Sequence, residues 1–190
     1  MAVATAIVTQ SAFPDGSDFT QNRQIIYGVL AIQASSATYQ TGGLAVTFAN
    51  PDNILATQGP YANRCDFQSR GGSGYLYYWT TKNLWIASTS YVVGQSLVVT
   101  SGNKIYTFTC TTLGTSGTPN QPAWNFATNS TTTDGTVVWT CEGLSSGLVQ
   151  VFQSNSSATV LAEITGNSAV PAGVSGDTIS CKAEFVRSRA

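Results

Sequence analysis

The residues that most often carry chemistry are scarce in this 190-residue chain, and the scarcity narrows what it can do. There is no histidine, which excludes a triad with a histidine base and any histidine-ligated metal. Nine carboxylates are present, but no two fall in a spacing that suggests a general acid and its base. The expectation is a non-enzymatic protein that needs no cofactor and no metal. Asp15-Gly-Ser-Asp18 has the start of a calcium loop without its third carboxylate or distal glutamate, and reads as an Asx-type turn. Arg70-Gly-Gly-Ser-Gly74 is glycine-rich, but no Gly-Lys-Ser/Thr follows, so it reads as a flexible hairpin tip and not a phosphate loop. Four cysteines, Cys65, Cys110, Cys141 and Cys181, form no Cys-x-x-Cys pair, which leaves a zinc knuckle or redox motif without support. In a reducing compartment their default is burial as small hydrophobic thiols. Cys110 and Cys141 each end an aromatic-rich, strand-like run, so a disulfide between neighbouring strands stays open as the alternative.

The elements that would position such residues follow from composition. Hydrophobic residues make up 42% of the chain and charged residues 9%, roughly a third of the usual share. Serine and threonine number 47 and glycine 18. Threonine, valine, tyrosine and glycine at this density predict strands and turns, not long helices. A net charge of −1 without a basic run argues against a phosphate-directed grip on nucleic acid. No apolar stretch approaches the length that spans a bilayer as a helix, so no membrane insertion is expected. Met1–Ile7 lacks the basic and long apolar regions of a secretion signal, so folding in a cytosol is expected.

Arg23–Gln33 predicts a strand, and because both of its faces are mostly apolar it reads as covered on both sides. Gly42-Gly43 introduces a strand over Leu44–Phe48, which Asn50-Pro-Asp-Asn53 would close. Residues 61–68 and 75–79 flank the glycine-rich loop as a long-tipped hairpin. Leu148–Phe152 reads as a strand, and Val160–Ile164 as a strand or a helical turn. In Asp177–Val186, Ile179, Cys181, Ala183 and Phe185 share one face against Ser180, Lys182 and Glu184, the pattern of a half-buried antiparallel strand. Residues 84–147 differ. They hold only Lys104, Asp134 and Glu142 as charges but three of the four tryptophans. Deleting them would bring Tyr75–Trp79 beside Leu148–Phe152. The organisation expected is a discontinuous β scaffold, residues 1–83 and 148–190, with a small β module, residues 84–147, inserted at a hairpin tip. The fold class is all-β: an antiparallel sandwich or barrel-like outer domain carrying that insertion.

Within the module, Trp85, Tyr91, Gly94 and Val98, then Tyr106, Cys110 and Gly114-Thr-Ser-Gly117, then Pro122-x-Trp124 and Asp134-Gly-Thr-Val-Val-Trp139 form an ordered series. This series resembles a small β module of tailed-bacteriophage structural proteins, itself similar to the chitin-binding modules of bacterial glycosidases. The remaining residues resemble short all-β virion proteins of tailed phages, through an aromatic hairpin and the Pro171-Ala-Gly-Val174 turn before the last strand. The resemblance implies a capsid decoration or cement protein, located on the virion surface and made in the host bacterial cytoplasm. Its partners would be the major capsid protein and other copies of itself, as a homotrimer. A tail- or baseplate-associated protein recognising host surface polysaccharide is the alternative.

Sugar recognition needs flat aromatic faces beside hydrogen-bonding groups, and Trp85, Tyr91, Trp124 and Trp139 are the candidates. A module of 64 residues also needs large side chains simply to fill its core. Trp85 and Trp139, in strand-like runs, read first as core. Trp124, between Pro119 and Pro122 on one side and Asn125 on the other, is open to either role. Asp134-Gly135 reads as a turn and not as a catalytic acid. Arg23, Arg64 and Arg70 are available to carboxylates on a partner.

Overall fold

A computed structural model describes residues 2–10, 17–20, 23–33, 37–48, 62, 64–102, 104–154 and 161–186. The chain enters through β1 (Ala2–Val3), β2 (Ala6–Gln10), β3 (Ser17–Thr20), β4 (Arg23–Ile32), β5 (Ala37–Thr38) and β6 (Leu44–Phe48). β7 (Arg64–Ser69) and β8 (Tyr75–Thr80) follow. Next come β9 (Ser90–Tyr91), β10 (Ser96–Ser101), β11 (Lys104–Thr112), β12 (Gly114–Thr115), β13 (Thr131–Asp134) and β14 (Val137–Ser145). β15 (Leu148–Ser154), β16 (Leu161–Glu163), a single helical turn α1 (Ala172–Ser175) and β17 (Ile179–Val186) complete the described order. The protein is all-β, as its composition predicts. The Asp15 turn and the Asn50–Asn53 turn lie outside the described residues.

The larger sheet runs β16-β15-β6-β2-β4-β17-β7, with β3 beside β4 and β8 beside β15. It curls into a nearly closed barrel. Its ladders are antiparallel except β2 with β6, which is parallel. Alternation fills the inside. Val8, Ile26, Leu30, Leu44, Val46, Val149, Val151, Ile179 and Ala183 are buried in one cluster. The outer face of β4 is covered only at its start, where Ile25 is buried, and is open further on, which corrects the two-sided reading of β4 beyond that point. Gln24, Ile26, Leu30 and Ile32 point inward and are buried, whereas Tyr27 and Val29 are 45% and 43% exposed.

β7 and β8 do not form the expected hairpin ladder. β7 pairs with β17, and β8 pairs with β15 in the register Trp79 to Val149 and Tyr77 to Val151. The barrel's seam therefore falls between them, and the loop that crosses it is tied down. Asp177 accepts hydrogen bonds from Ser69 Oγ at 3.0 Å, Ser73 Oγ at 2.6 Å and the Tyr77 hydroxyl at 2.9 Å. Burial pushes the Asp177 carboxyl up, but the bonds from Ser73, Ser69, Tyr77 and the Gly71 amide outweigh it and hold it below the usual range. The glycine-rich segment is thus an anchored strap and not a free tip.

A second sheet, β10-β11-β14-β13, and the small pair β12-β9 lie wholly within residues 84–147. Leu97, Val99, Phe108, Cys110, Val137, Trp139 and Cys141 form its own core. The two sheets meet closely. Val98 and Ile105 pack on Leu148, Thr41 N–H donates to Gly94 O at 2.8 Å, and Ser96 N–H donates to Thr41 O at 2.8 Å. β14 becomes β15 through Ser146 and Gly147, whose backbone bonds both go to Val46. Gly147 has φ of +105°, and a Cβ there would fall 2.6 Å from Trp79 Nε1. Only glycine fits this crossing.

Two outcomes follow. Removing residues 84–147 and joining Asn83 to Leu148 by an Asn-Gly turn should leave a folded β protein, less stable because Leu148 loses Val98 and Ile105; circular dichroism and proteolysis check this, and an unfolded product overturns the insertion. The second concerns acid. A carboxyl held below its unfolded value contributes stability that is present above about pH 4 and lost as pH falls through the folded value. Asp177→Asn should therefore flatten the acid limb of a plot of urea midpoint against pH.

Candidate functional site

Aromatic side chains of the second sheet converge on Trp139, which is fully buried. Alternation along β14 puts Val137, Trp139 and Cys141 on the inner face, and the tyrosine and tryptophan rings close round them. Tyr91 meets Trp139 edge to face at 4.8 Å between centroids. Trp124 lies 4.6 Å from Phe108 and 6.2 Å from Trp139. Trp85 reaches the same cluster and is half-buried.

The indole nitrogens explain the arrangement. Trp85 Nε1 donates to Asp134 Oδ2 at 2.7 Å and Trp139 Nε1 donates to the same oxygen at 3.2 Å. Gly117 N–H donates to Oδ1 at 2.8 Å. Asp134 is buried, so its charge is met by three N–H groups converging from three segments. Gly135 then turns the chain with φ of +61° into β14. The expected Asp-Gly turn is present, but the aspartate also joins two tryptophans to the loop at Gly117. Its spacing to Trp139 was visible in the sequence. Its partnership with Trp85, 49 residues away, was not.

The four expected sugar-contacting residues are therefore brought together, but chiefly as core. Trp139 has no free face and is withdrawn as a contact residue, because the inner face of β14 is the centre of a small hydrophobic cluster. Tyr91 is half-buried, and its hydroxyl accepts from Ile86 N–H at 2.9 Å. Trp124 keeps an exposed edge, its Nε1 donating to Gln121 Oε1 at 3.0 Å. Trp85, Tyr91 and Trp124 thus offer partial faces, not an open platform.

The cysteines are four free, buried thiols, so the Cys110–Cys141 disulfide does not form. Cys110 lies opposite Trp139, and Cys141 opposite Phe108, a diagonal placement across β11 and β14. Burial pushes the thiols of Cys110 and Cys181 up, to about 11 and about 12, which keeps them protonated and unreactive.

Two other sites were not visible in the sequence. Tyr39, fully buried, donates from its hydroxyl to Glu163 Oε1 at 2.6 Å and accepts from Val151 N–H at 3.0 Å. Burial raises Glu163 above the ordinary carboxylate range, opposed by bonds from Tyr39, Gly42 and Gln150. On the outside of the barrel, Tyr27, Asp66, Gln68, Arg70, Ser180 and Lys182 line an open groove of about 530 Å3. The polar alternation of β17 signalled half of it. Tyr27 was hidden by the expectation that β4 is covered on both faces.

In comparisons with protein-family models, curated proteins and solved structures, the chain matches none.

The module's chemistry is checked by stability. Asp134→Asn, which keeps one acceptor, should cost about 1–3 kcal/mol, and Asp134→Ala more, since it leaves buried N–H groups unmet. Trp124→Ala should cost about 2 kcal/mol or more through lost packing on Phe108 and Trp139. Both are measured by denaturant unfolding followed by tryptophan fluorescence; an unchanged midpoint in Trp124→Ala would mean that the ring is free.

Proposed function

We propose that this chain is a non-enzymatic structural protein of a tailed-phage virion, a capsid decoration or cement protein that seats its barrel on the head and carries the residues 84–147 module outward. The observation that carries this reading is a neighbouring set of apolar side chains on the outside of β8, β15 and β16. Leu76 and Tyr78 are 55% and 59% exposed, and Leu161 is 50% exposed. Leu76 pairs with Phe152 and Tyr78 with Gln150, so these residues share one face of the paired strands. A largely apolar face on a low-charge barrel suits attachment to other subunits, with Glu163 beside it engaged by Tyr39, Gly42 and Gln150. The sequence resemblance favours the same setting, with a homotrimer as the assembled form. Among the described residues, Asp134 is bonded to Trp85 and Trp139, Glu163 to Tyr39, and Asp177 to Ser69 and Ser73, structural roles that favour the non-enzymatic reading.

The alternative, a glycan-binding protein of the tail or baseplate, rests on the exposed edge of Trp124 with the partial faces of Trp85 and Tyr91. The two readings differ in copy number. In purified virions, the chain should be present at a level comparable with the major capsid protein, not at the few copies of a tail fibre. Tyr78→Glu should leave the isolated protein folded and lower its occupancy on decorated heads by tenfold or more, the equivalent of about 1.4 kcal/mol. Full occupancy with Tyr78→Glu and Leu76→Asp together would remove this face as the attachment surface.

A further inference from the structure

We propose that the groove across β4, β17 and β7 is a binding site for an acidic polysaccharide, taking a sugar ring against Tyr27 and its carboxylate between Lys182 and Arg70. Three strands build it. Lys182 on β17 stands opposite Tyr27 on β4 and opposite Asp66 on β7, so the three side chains form one row on the outer face. The next row places Ser180 opposite Gln68. Ser180 Oγ donates to Gln68 O at 3.1 Å, which leaves the hydroxyl oxygen free to accept from a sugar hydroxyl.

Charge decides the ligand. The chain has eight cationic side chains in all; Arg70 and Lys182 line the groove, and Arg64 lies beside it on β7. Arg64 binds Asp66 at 3.1 Å, so the carboxylate lining the groove is already paired. Glu184 lies one row beyond, opposite Arg64 and outside the lining. Lys182 and Arg70 thus give the groove a positive balance in a protein whose net charge is −1. A purely anionic ligand would need only those cations. The half-exposed Tyr27 ring adds an apolar face between polar groups, which matches the C–H face of a pyranose. The volume of about 530 Å3 is within the usual range for ligand pockets, roughly 300–1,000 Å3. This site is separate from the module aromatics. Binding there would rest on stacking and neutral hydrogen bonds, whereas binding in the groove must weaken as salt screens its charges.

The test uses the full chain and three probes of similar length: an alginate oligosaccharide, a neutral malto-oligosaccharide and a linear polyphosphate. Calorimetry should show alginate binding at least about tenfold tighter than the neutral sugar, and weakening several-fold between about 50 and 500 mM salt. Lys182→Glu should reduce alginate affinity by tenfold or more; Arg70→Ser, on the exposed strap, serves if that variant does not fold. Tyr27→Ala should reduce alginate affinity about tenfold and leave polyphosphate binding unchanged, while Trp124→Ala should alter neither. The proposal is overturned if no alginate binds, if the neutral sugar binds equally well, or if polyphosphate matches alginate and Tyr27→Ala affects neither. It is also overturned if Trp124→Ala abolishes the binding, which would place the sugar on the module.

Discussion

A folded chain with few charges must settle its buried and half-buried carboxylates without relying on cations, and the organisation of this protein turns on how it does so. Asp134, Glu163 and Asp177 are each met by indole, hydroxyl or amide donors from distant segments. A buried acceptor satisfied by several neutral donors fixes all of them in direction, and losing one partner leaves the rest costly. Each node stands where local structure alone would be loose. Asp134 pins the loop at Gly117 to two tryptophans, Glu163 ties the short strand β16 to Tyr39 and Gly42, and Asp177 straps the loop across the barrel's seam. The rich supply of serine, threonine and aromatic N–H and O–H groups is therefore part of the architecture and not only a surface property.

The same economy explains how two sheets share one frame. β14 and β15 form one nearly continuous path, interrupted by Ser146 and Gly147, and at the interruption Val46 and Trp79 keep backbone groups bonded. Leu148 is the first residue of the barrel strand and packs against Val98 and Ile105 of the other sheet. A cleft of about 180 Å3 beside this junction is lined by Thr5, Gln40, Ser96, Thr107 and Glu142, with burial raising the Glu142 carboxyl. The junction is bonded and packed on both sides, so the residues 84–147 sheet is carried in a defined direction from the barrel.

What could be read from the sequence was what depends on short-range pattern. The inner face of β17 and the turn at Asp134-Gly135 follow from alternation and turn chemistry within a few residues, and the pairing of Tyr75–Trp79 with Leu148–Phe152 from their standing at the two ends of the charge-poor residues 84–147. What escaped depends on closure. β4 is apolar on both faces whether or not anything covers its outside, so Tyr27 and Val29 gave no sign that they stay exposed. β7 and β8 look like a hairpin from their loop, but their partners are β17 and β15 because the barrel closes elsewhere. Asp134 with Trp85, and Tyr39 with Glu163, bring together residues 49 and 124 positions apart, a separation that composition and spacing do not encode.

The aromatic residues show the same division between the two sheets. In the residues 84–147 sheet the core is small, and Trp139, Tyr91, Trp124 and Trp85 are drawn inward with Phe108, Tyr106 and Phe126 because a core this small needs large rings to exclude water. Their nitrogens are committed to Asp134 and Gln121, so any ligand must compete with the module's own stability for the same rings. The barrel has a larger aliphatic interior, from Val8 and Ile26 to Val151 and Ile179, and does not need Tyr27 inside it. A ring that is free of the core, backed by a paired strand, with Lys182 beside it and Asp66 on the strand beyond, can meet a ligand without loss of packing. For this fold, recognition is cheaper on the outside of the barrel than among the module's tryptophans.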